Sequence, residues 1–450
     1  MITIPSRDLE TTTRNLGLKI FDQSERRSSR FFSGLFWVRK FLELSFRYPK
    51  LKLELFRFVD VLPSLRSNRE ITEHFVLYLL SEDSGIPAWI RKTLRFYASL
   101  FPISVLFGGF VRFAVGRASG NFIAGRDLKT ADANLKRIRA KGNVFTLDVL
   151  GEAALSEKEA VAYQKQYLEL LRNIGRFSGS ETTGYGRSPF VNVSVKCSSL
   201  YSQISSLAKE ESISALKERL RPILRTAKEN GYFANLDAEQ SDYKDVLLTL
   251  AEEIFSEPDF ADYPHFGVVI QTYLRESEND LKRILEYSKN RKTPITVRLV
   301  KGAYWEYEVI RARERGWEIP VYENKRETDA NYERCGRLLM DSFPRVLSAF
   351  ASHNVRSLAY LLSYAESKGL SKRDFEIQML YGMADSYKIV FSSMGYRVRE
   401  YTPLGLMLPG MAYLVRRLLE NTSNQGFLQN LITGRTNFET LLSDPGGSNE

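Results

Sequence analysis

The run Ile295-Thr-Val-Arg-Leu-Val-Lys-Gly302 decides the fold. It is rich in β-branched residues, has strand length, and closes on a cation and a glycine. An amphipathic stretch, Glu278–Asn290, precedes it. Working outward, β-rich runs recur at Asn143–Leu150, Phe190–Cys197, Tyr232–Asp237, Phe266–Tyr273, Val346–His353, Phe375–Leu380 and Tyr396–Thr402, making eight with Ile295–Lys301. Helical spacing fills most of the intervals, as in Glu157–Ile174, Ser212–Glu229, Ser241–Phe255 and Asn354–Ser367. Eight strands alternating with helices predict an α/β chain folded as a (β/α)8 TIM barrel rather than a doubly wound sheet. No GxGxxG follows any of the runs, so a Rossmann fold lacks its phosphate-binding turn.

In such a barrel the chemistry gathers where the strands end. The second run ends in Lys196, the third in Asp237-Ala238-Glu239, the fourth near Gln271 and the fifth in Lys301-Gly302 after Arg298. The sixth ends in Ser352-His353-Asn354, the seventh carries Gln378 and Leu380, and the eighth ends near Tyr401. Singly, each has an ordinary explanation: Lys196 paired at the rim with Asp237 or Glu239, His353 a satisfied core histidine, Gln271 or Gln378 capping a loop. Together, polar groups at seven of eight strand ends point to a site. Beyond them lies Tyr413-Leu-Val-Arg-Arg-Leu-Leu-Glu-Asn421, begun by Pro409 and spaced as a helix by Leu414, Leu418 and Leu419. Tyr413, Arg416, Arg417 and Glu420 then fall on or beside one face, a receptor for a small carboxylate carrying an apolar ring. Alone, the same run reads more readily as a solvated basic helix end paired with Glu420.

Composition is that of a globular protein, 43% hydrophobic and 26% charged over 450 residues. Cys197 and Cys335 form no CxxC pair, and His74, His265 and His353 are the only histidines, so neither a disulfide framework nor a metal site is expected. No secretory pattern opens the chain, and charges break every apolar run before about 18 residues. A cytoplasmic protein is expected, at most peripheral at the inner face of the membrane. The formal charge of +10 is uneven: residues 1–125 hold 19 Lys and Arg against 11 Asp and Glu. That region reads as a helical basic arm punctuated by Pro49, Pro63, Pro87 and Pro102, with an amphipathic segment from Phe31 to Phe58 whose apolar stripe packs against the rest of the protein or, as the second reading, lies on a membrane surface. The expected organisation is therefore an arm domain at 1–125, a barrel at 126–435 and a disordered tail at 436–450.

Several motifs resemble the proline dehydrogenase family, most closely the proline dehydrogenase half of the bifunctional proline utilization A flavoproteins. They are Val297-Arg-Leu-Val-Lys-Gly-Ala-Tyr-Trp305, Asn235-Leu-Asp-Ala-Glu239, Val193-Ser-Val-Lys196, Ala351-Ser-His-Asn354, Tyr401-Thr-Pro-Leu-Gly405 and the Tyr413–Asn421 run. Leu147-Asp-Val-Leu-Gly-Glu-Ala153 and Leu55-Phe-Arg-Phe-Val-Asp-Val-Leu-Pro63 also fit, and the likeness covers about residues 50–430 in order. It implies a distorted barrel binding FAD, its last helix over the mouth, that oxidises L-proline to Δ1-pyrroline-5-carboxylate and passes electrons to a membrane quinone.

The resemblance also implies roles. Arg416 and Arg417, with Lys196 as a third cation, would bind the proline carboxylate, and Tyr304, Leu380, Tyr401 and Tyr413 would enclose the ring. Asp237 would order the pocket and Arg298 would lie near flavin N5. Ala238, Gln271, Val300, Lys301, Gly302, Ala303, Trp305, Ser352, His353, Asn354 and Gln378 would line the flavin and its chain, with Lys325, Thr328 and Glu420 towards the adenosine. Gln240 and Ser352 depart from the family's usual acidic residue and Thr, and the residues after Glu420 also differ. A Schiff-base aldolase using Lys196 or Lys301 is a second enzymatic reading. A basic membrane- or nucleic-acid-binding protein on a catalytically dead barrel is a third, although no zinc-finger or RNP-like motif supports nucleic acid. Too little chain follows residue 430 to form an aldehyde dehydrogenase domain, so the second oxidation would need a pyrroline-5-carboxylate dehydrogenase partner or a longer chain.

Overall fold

A computed structural model describes residues 6–28, 54, 57–58, 61–80, 86, 88–100, 102–120, 122–151, 153–406 and 438–446. The chain forms two units: Met1–Arg26 with Asp127–Leu404 and Phe438–Glu450, and Arg27–Arg126 with Gly405–Asn437.

The first unit is built on eight strands: β1 Val144–Val149, β2 Asn192–Val195, β3 Phe233–Leu236, β4 Phe266–Gln271, β5 Ile295–Val300, β6 Val346–Ala351, β7 Phe375–Leu380 and β8 Arg397–Leu404. All pair in parallel and close into a barrel in sequence order. The β1–β8 seam is long, from Val144 opposite Arg399 to Val149 opposite Leu404. Two other seams are short: Leu147 and Asp148 alone pair with Val193 and Ser194, and Ala234 and Asn235 alone pair with Phe266 and Gly267. Strands β1, β2 and β3 are buried at every residue, as expected where helices cover the outside and side chains fill the inside. A small hairpin, Ser180–Thr183 with Gly186–Pro189, precedes β2 and was not anticipated from sequence.

Local chemistry fixes the surrounding helices. Ser156 accepts from the Glu159 N–H at 3.3 Å while the Glu159 carboxylate accepts from the Leu155 N–H at 2.8 Å, which starts helix Glu157–Asn173. Asn354 caps helix Val355–Ser367 through the Ser357 N–H at 3.2 Å, so the turn leaving β6 is held by the helix that follows it. Gly316, at φ +66°, ends helix Trp305–Arg315.

Both chain ends differ from expectation. Helix Ser6–Ser28 begins in the region read as arm, yet its residues up to Arg26 belong with the barrel. Buried Arg356 binds Glu10 at 2.6 and 2.7 Å, Glu333 at 3.1 and 3.2 Å and the Leu442 carbonyl at 3.1 Å. Phe21 stacks on Phe438 at 4.8 Å, and Leu442 is 3% exposed. The stretch 438–446 is therefore packed, not a free tail, because its apolar side chains and one carbonyl have partners on the barrel unit. Gly17 makes room: a Cβ there would stand 2.4 Å from Leu442.

Within the second unit, Phe75 packs edge-on against Phe58 and Phe107, and Thr72 donates to the Ser104 carbonyl at 2.5 Å. Helices Ala88–Ser99 and Ile103–Ser119 expose Trp89, Phe96, Tyr97, Leu106, Phe110 and Phe113. Among the described residues no single helix is long and apolar enough to cross a membrane; Arg91–Ser99 and Ile103–Phe113 pass that test only as a pair bent by 110°. Most of the Phe31–Phe58 segment lies outside the described residues.

Candidate active site

At the C-terminal mouth of the barrel, β1, β2, β3, β5 and β8 bring two ion pairs together. Arg298 donates from Nη1 to Asp237 Oδ1 at 2.5 Å and from Nη2 to Ser194 Oγ at 3.0 Å. Asn235 donates to the same Asp237 oxygen at 3.0 Å, and the Tyr401 hydroxyl donates to the other at 2.7 Å. The Tyr401 ring also lies under the Arg298 guanidinium, 5.4 Å from its centroid. Burial, with Asp148 and Asp237 nearby, pushes the Tyr401 phenol well above its ordinary pKa, so it stays a donor.

Lys196 closes the second pair on Asp148 Oδ1, at 2.6 Å. This corrects the rim pairing with Asp237 or Glu239 considered from sequence. Asp148 sits on β1, directly beside β2 across their short seam, and Glu239 is already taken by the Ser198 N–H and hydroxyl. Burial opposes the Lys196 charge, yet Asp148 outweighs it and holds the ammonium above its usual pKa. Burial in turn raises the Asp148 carboxyl, against the pull of Lys196.

A second cluster follows β5. Lys301 bonds to Asp329 and to Ser357 Oγ at 3.0 Å, and Asp329 also receives Lys325 at 3.2 Å and the Asn354 amide at 3.3 Å. Burial lowers the Lys301 pKa more than Asp329 raises it. Burial would raise Asp329, but Lys301 and Lys325 hold it below the usual carboxylate value. His353 Nε2 accepts the Leu380 N–H at 3.1 Å, which leaves the neutral ring's proton on Nδ1. Ser352 Oγ accepts the Asn354 N–H at 3.0 Å. Gly302 stands at φ +130°, and a Cβ there would lie 2.4 Å from the Tyr273 ring, so only glycine fits. Ala303 is exposed beside it, Tyr304 caps helix Trp305–Arg315, and the Trp305 indole donates to the Tyr322 carbonyl at 2.9 Å. Val300 accepts from the Thr272 N–H at 2.9 Å, with Gln271 and Thr328 buried and Ala238 half-buried.

Gln378 stands apart. Its amide donates to Glu376 at 2.6 Å and lines a cavity at the N-terminal end of the barrel with Arg397 and Arg399. Residues 376, 378 and 380 share one face of β7, so Gln378 occupies a middle layer and turns towards the lower one. Tyr413, Arg416, Arg417 and Glu420 lie outside the described residues. Sequence reading passed over Asp148, Ser194 and Asp329 as site groups; their signal was a polar residue inside or just after a β-rich or helical run, legible only once the strand pairing is known.

Fold and site define a (β/α)8-barrel enzyme whose mouth carries buried ion pairs, aromatics and a glycine-cleared strand end. Comparison with known proteins makes this specific. The profile of the proline dehydrogenase family matches residues 131–430, and that of the proline utilization A N-terminal domain matches 10–122. The chain belongs to the proline dehydrogenase family. It is 31% identical over 331 residues to the bifunctional protein PutA of Escherichia coli, covering 72% of this chain but 25% of that protein. It is 28% identical over 313 residues to proline dehydrogenase 2 of Bacillus subtilis, covering 69% and 88% respectively. The crystal structure of proline utilization A from Bdellovibrio bacteriovorus, inactivated by N-propargylglycine, superposes with a TM-score of 0.87 at 42% identity, over 97% of this chain and 44% of that one. The match thus spans about a quarter of the Escherichia coli protein and less than half of the Bdellovibrio bacteriovorus one.

Proposed function

We propose that the protein is a flavin-dependent dehydrogenase that oxidises L-proline to Δ1-pyrroline-5-carboxylate. The observation that carries this reading is the network Lys196–Asp148, Tyr401, Asp237–Arg298 inside the barrel mouth. Proline offers a carboxylate, a ring nitrogen and an apolar ring. Lys196, together with Arg416 and Arg417, takes the carboxylate; Tyr304, Leu380, Tyr401 and Tyr413 pack the ring. Asp237 fixes Arg298 and Tyr401, so the groups around C5 are held before substrate arrives. In the reaction the C5 hydrogen leaves with its electron pair and a proton leaves the nitrogen, giving the C=N bond.

The residues fit FAD as the acceptor. Arg298 Nε is buried with no protein partner, a donor left over at the mouth. Gly302 keeps the strand end clear, and His353, Lys301 and Lys325 offer donors along one side. Gln271, Val300, Lys301, Gly302, Ala303, Ser352, His353 and Asn354 would hold the flavin and its chain, with Lys325, Thr328 and Glu420 towards the adenosine. A bound flavin supplies the hydride acceptor; the chain supplies placement and electrostatics. Electrons then pass to a quinone. The exposed aromatics at 89–113, beside Arg91, Lys92, Arg95 and Arg112, support peripheral contact with an anionic membrane. The product requires a pyrroline-5-carboxylate dehydrogenase, as a partner or in a longer chain.

The aldolase reading fares worse: Lys196 has a raised pKa where a Schiff-base amine needs a lowered one, and Lys301, whose pKa burial does lower, is held by Asp329 and Ser357 and leaves the tyrosines and the Arg416-Arg417 pair without a role. The test is proline-dependent reduction of a quinone analogue by the yellow purified protein, wild type against Arg417→Met. A proline KM at least tenfold higher in the variant is expected; unchanged kinetics remove the reading.

A further inference from the structure

Asp148 is a fully buried carboxylate beside the mouth. Its side chain is 1% exposed, and its Oδ2 is buried without a hydrogen-bond partner while Oδ1 holds Lys196 at 2.6 Å. The lysine side chain is 15% exposed, so it alone of the two reaches the mouth. Lys196 projects from the end of β2, the four-residue strand that pairs with β1 at only two positions. Its long stem has four rotatable bonds, and an ammonium is a point charge without the fixed fork of an arginine. One contact from the neighbouring strand therefore decides where that charge stands.

We infer that Asp148 is a positioning residue that keeps the Lys196 ammonium charged and fixed at the barrel mouth for the substrate carboxylate. This rests on the proline reading above. Asp148 acts on the anion through Lys196 and touches neither substrate nor flavin. Lys196 is the hydrogen-bond partner of Oδ1, and its charge opposes the burial that would otherwise protonate the carboxylate, so each group keeps the other ionised. The Tyr401 hydroxyl and Asp237 also act on Asp148, which links the lysine to the Arg298 pair. Without the carboxylate's charge, Asp237 and Tyr304 alone are left to oppose burial, which favours the neutral amine.

The test compares wild type, Asp148→Asn, Asp148→Glu and the double variant Lys196→Arg/Asp148→Asn. Two readouts are used: proline kinetics between about pH 7 and about pH 9, and calorimetric binding of tetrahydrofuran-2-carboxylate, a ring carboxylate that has no amine to oxidise. In Asp148→Asn the affinity for both ring carboxylates falls tenfold or more as pH rises over this range, while kcat changes less than threefold. Wild type stays flat in the same window. Asp148→Glu restores at least part of the affinity. The double variant is flat again with pH, because a guanidinium cannot lose its proton there. An Asp148→Asn profile parallel to wild type overturns the inference, as does an equal loss in kcat and affinity at every pH. Should Asp148→Asn fail to fold, the double variant against Lys196→Arg decides: a pH-dependent difference between those two also overturns it. Wild type that neither oxidises proline nor binds the ring carboxylate overturns the proline reading instead, so the two failures are distinguishable.

Discussion

Arg298 and Asp237 stand 2.5 Å apart within the barrel mouth, from strands 61 residues apart in sequence, with side chains 4% and 9% exposed. Such a pair is weak evidence for net stability but costly to break, since removing one partner strands the other charge. Asp237→Ala is expected to lose about 3 to 5 kcal/mol of folding stability and nearly all proline oxidation. Asp237→Asn, which keeps an acceptor for Tyr401, is expected to fall between. Urea unfolding and proline–dye reduction measure the two effects; an Ala variant as stable as wild type would show that solvent already screens the pair.

The Tyr401 hydroxyl and ring do separate work. The hydroxyl satisfies Asp237 Oδ2 at 2.7 Å, and the ring lies under Arg298. Tyr401→Phe keeps the ring and leaves one carboxylate oxygen unsatisfied, at a cost of about 1 to 3 kcal/mol. Expressed in kcat/KM for proline this is roughly a 5- to 150-fold drop, with flavin content unchanged. Loss of flavin from the Phe variant would instead mean that the hydroxyl supports the cofactor side.

The fold was legible because its period was. Each β-rich run between helical stretches became a barrel strand, and the polar strand ends met at one mouth, since parallel strands present all their C-termini together. Partners were less legible. Lys196 and Asp148 are 48 residues apart, and nothing local says that β1 and β2 adjoin over two residues at that height. Gln378 looked like a mouth residue because strand position, not layer, is what sequence displays. The segment 436–450 read as tail from its Gly, Ser and Asn content; Leu442 is buried through a gap left by Gly17, more than 400 residues earlier.

Deep in the barrel, Glu376 is bound by Arg399 at 2.8 Å and, more loosely, by Arg397. Burial would raise its pKa, but Arg399 and Arg397 prevail and hold it down to about 2. A carboxylate depressed in the folded state contributes stability that is complete above its unfolded pKa, about 4.3, and is lost as pH falls through about 2. Arg399→Leu removes that contribution and leaves Glu376 buried with less compensation. A loss of about 3 to 5 kcal/mol at neutral pH is expected, narrowing towards acid as Glu376 protonates. Denaturant melts at a series of pH values check this; a deficit that stays constant down to pH about 3 contradicts the assignment.

Glu333 behaves in the opposite sense. It shares Arg356 with Glu10, and burial lifts its carboxyl to about 7 although Arg356 pulls it down. Here the folded state holds the proton more tightly than the unfolded chain does. Stability is therefore lost as pH rises from about 4.3 to about 7 and levels off above. A glutamine keeps an acceptor for Arg356 but cannot ionise, and Glu10 still supplies the guanidinium with a counter-charge. Glu333→Gln should match wild type near pH 4 and exceed it by roughly 2 to 4 kcal/mol above pH 7, a rise in Tm of several degrees. Thermal melts of both proteins across this range give the answer. A glutamine variant that is less stable at pH 8 than wild type would mean that Arg356 needs both carboxylates charged, and that the clasp joining helix Ser6–Ser28 to the segment at Leu442 depends on Glu333 as an anion.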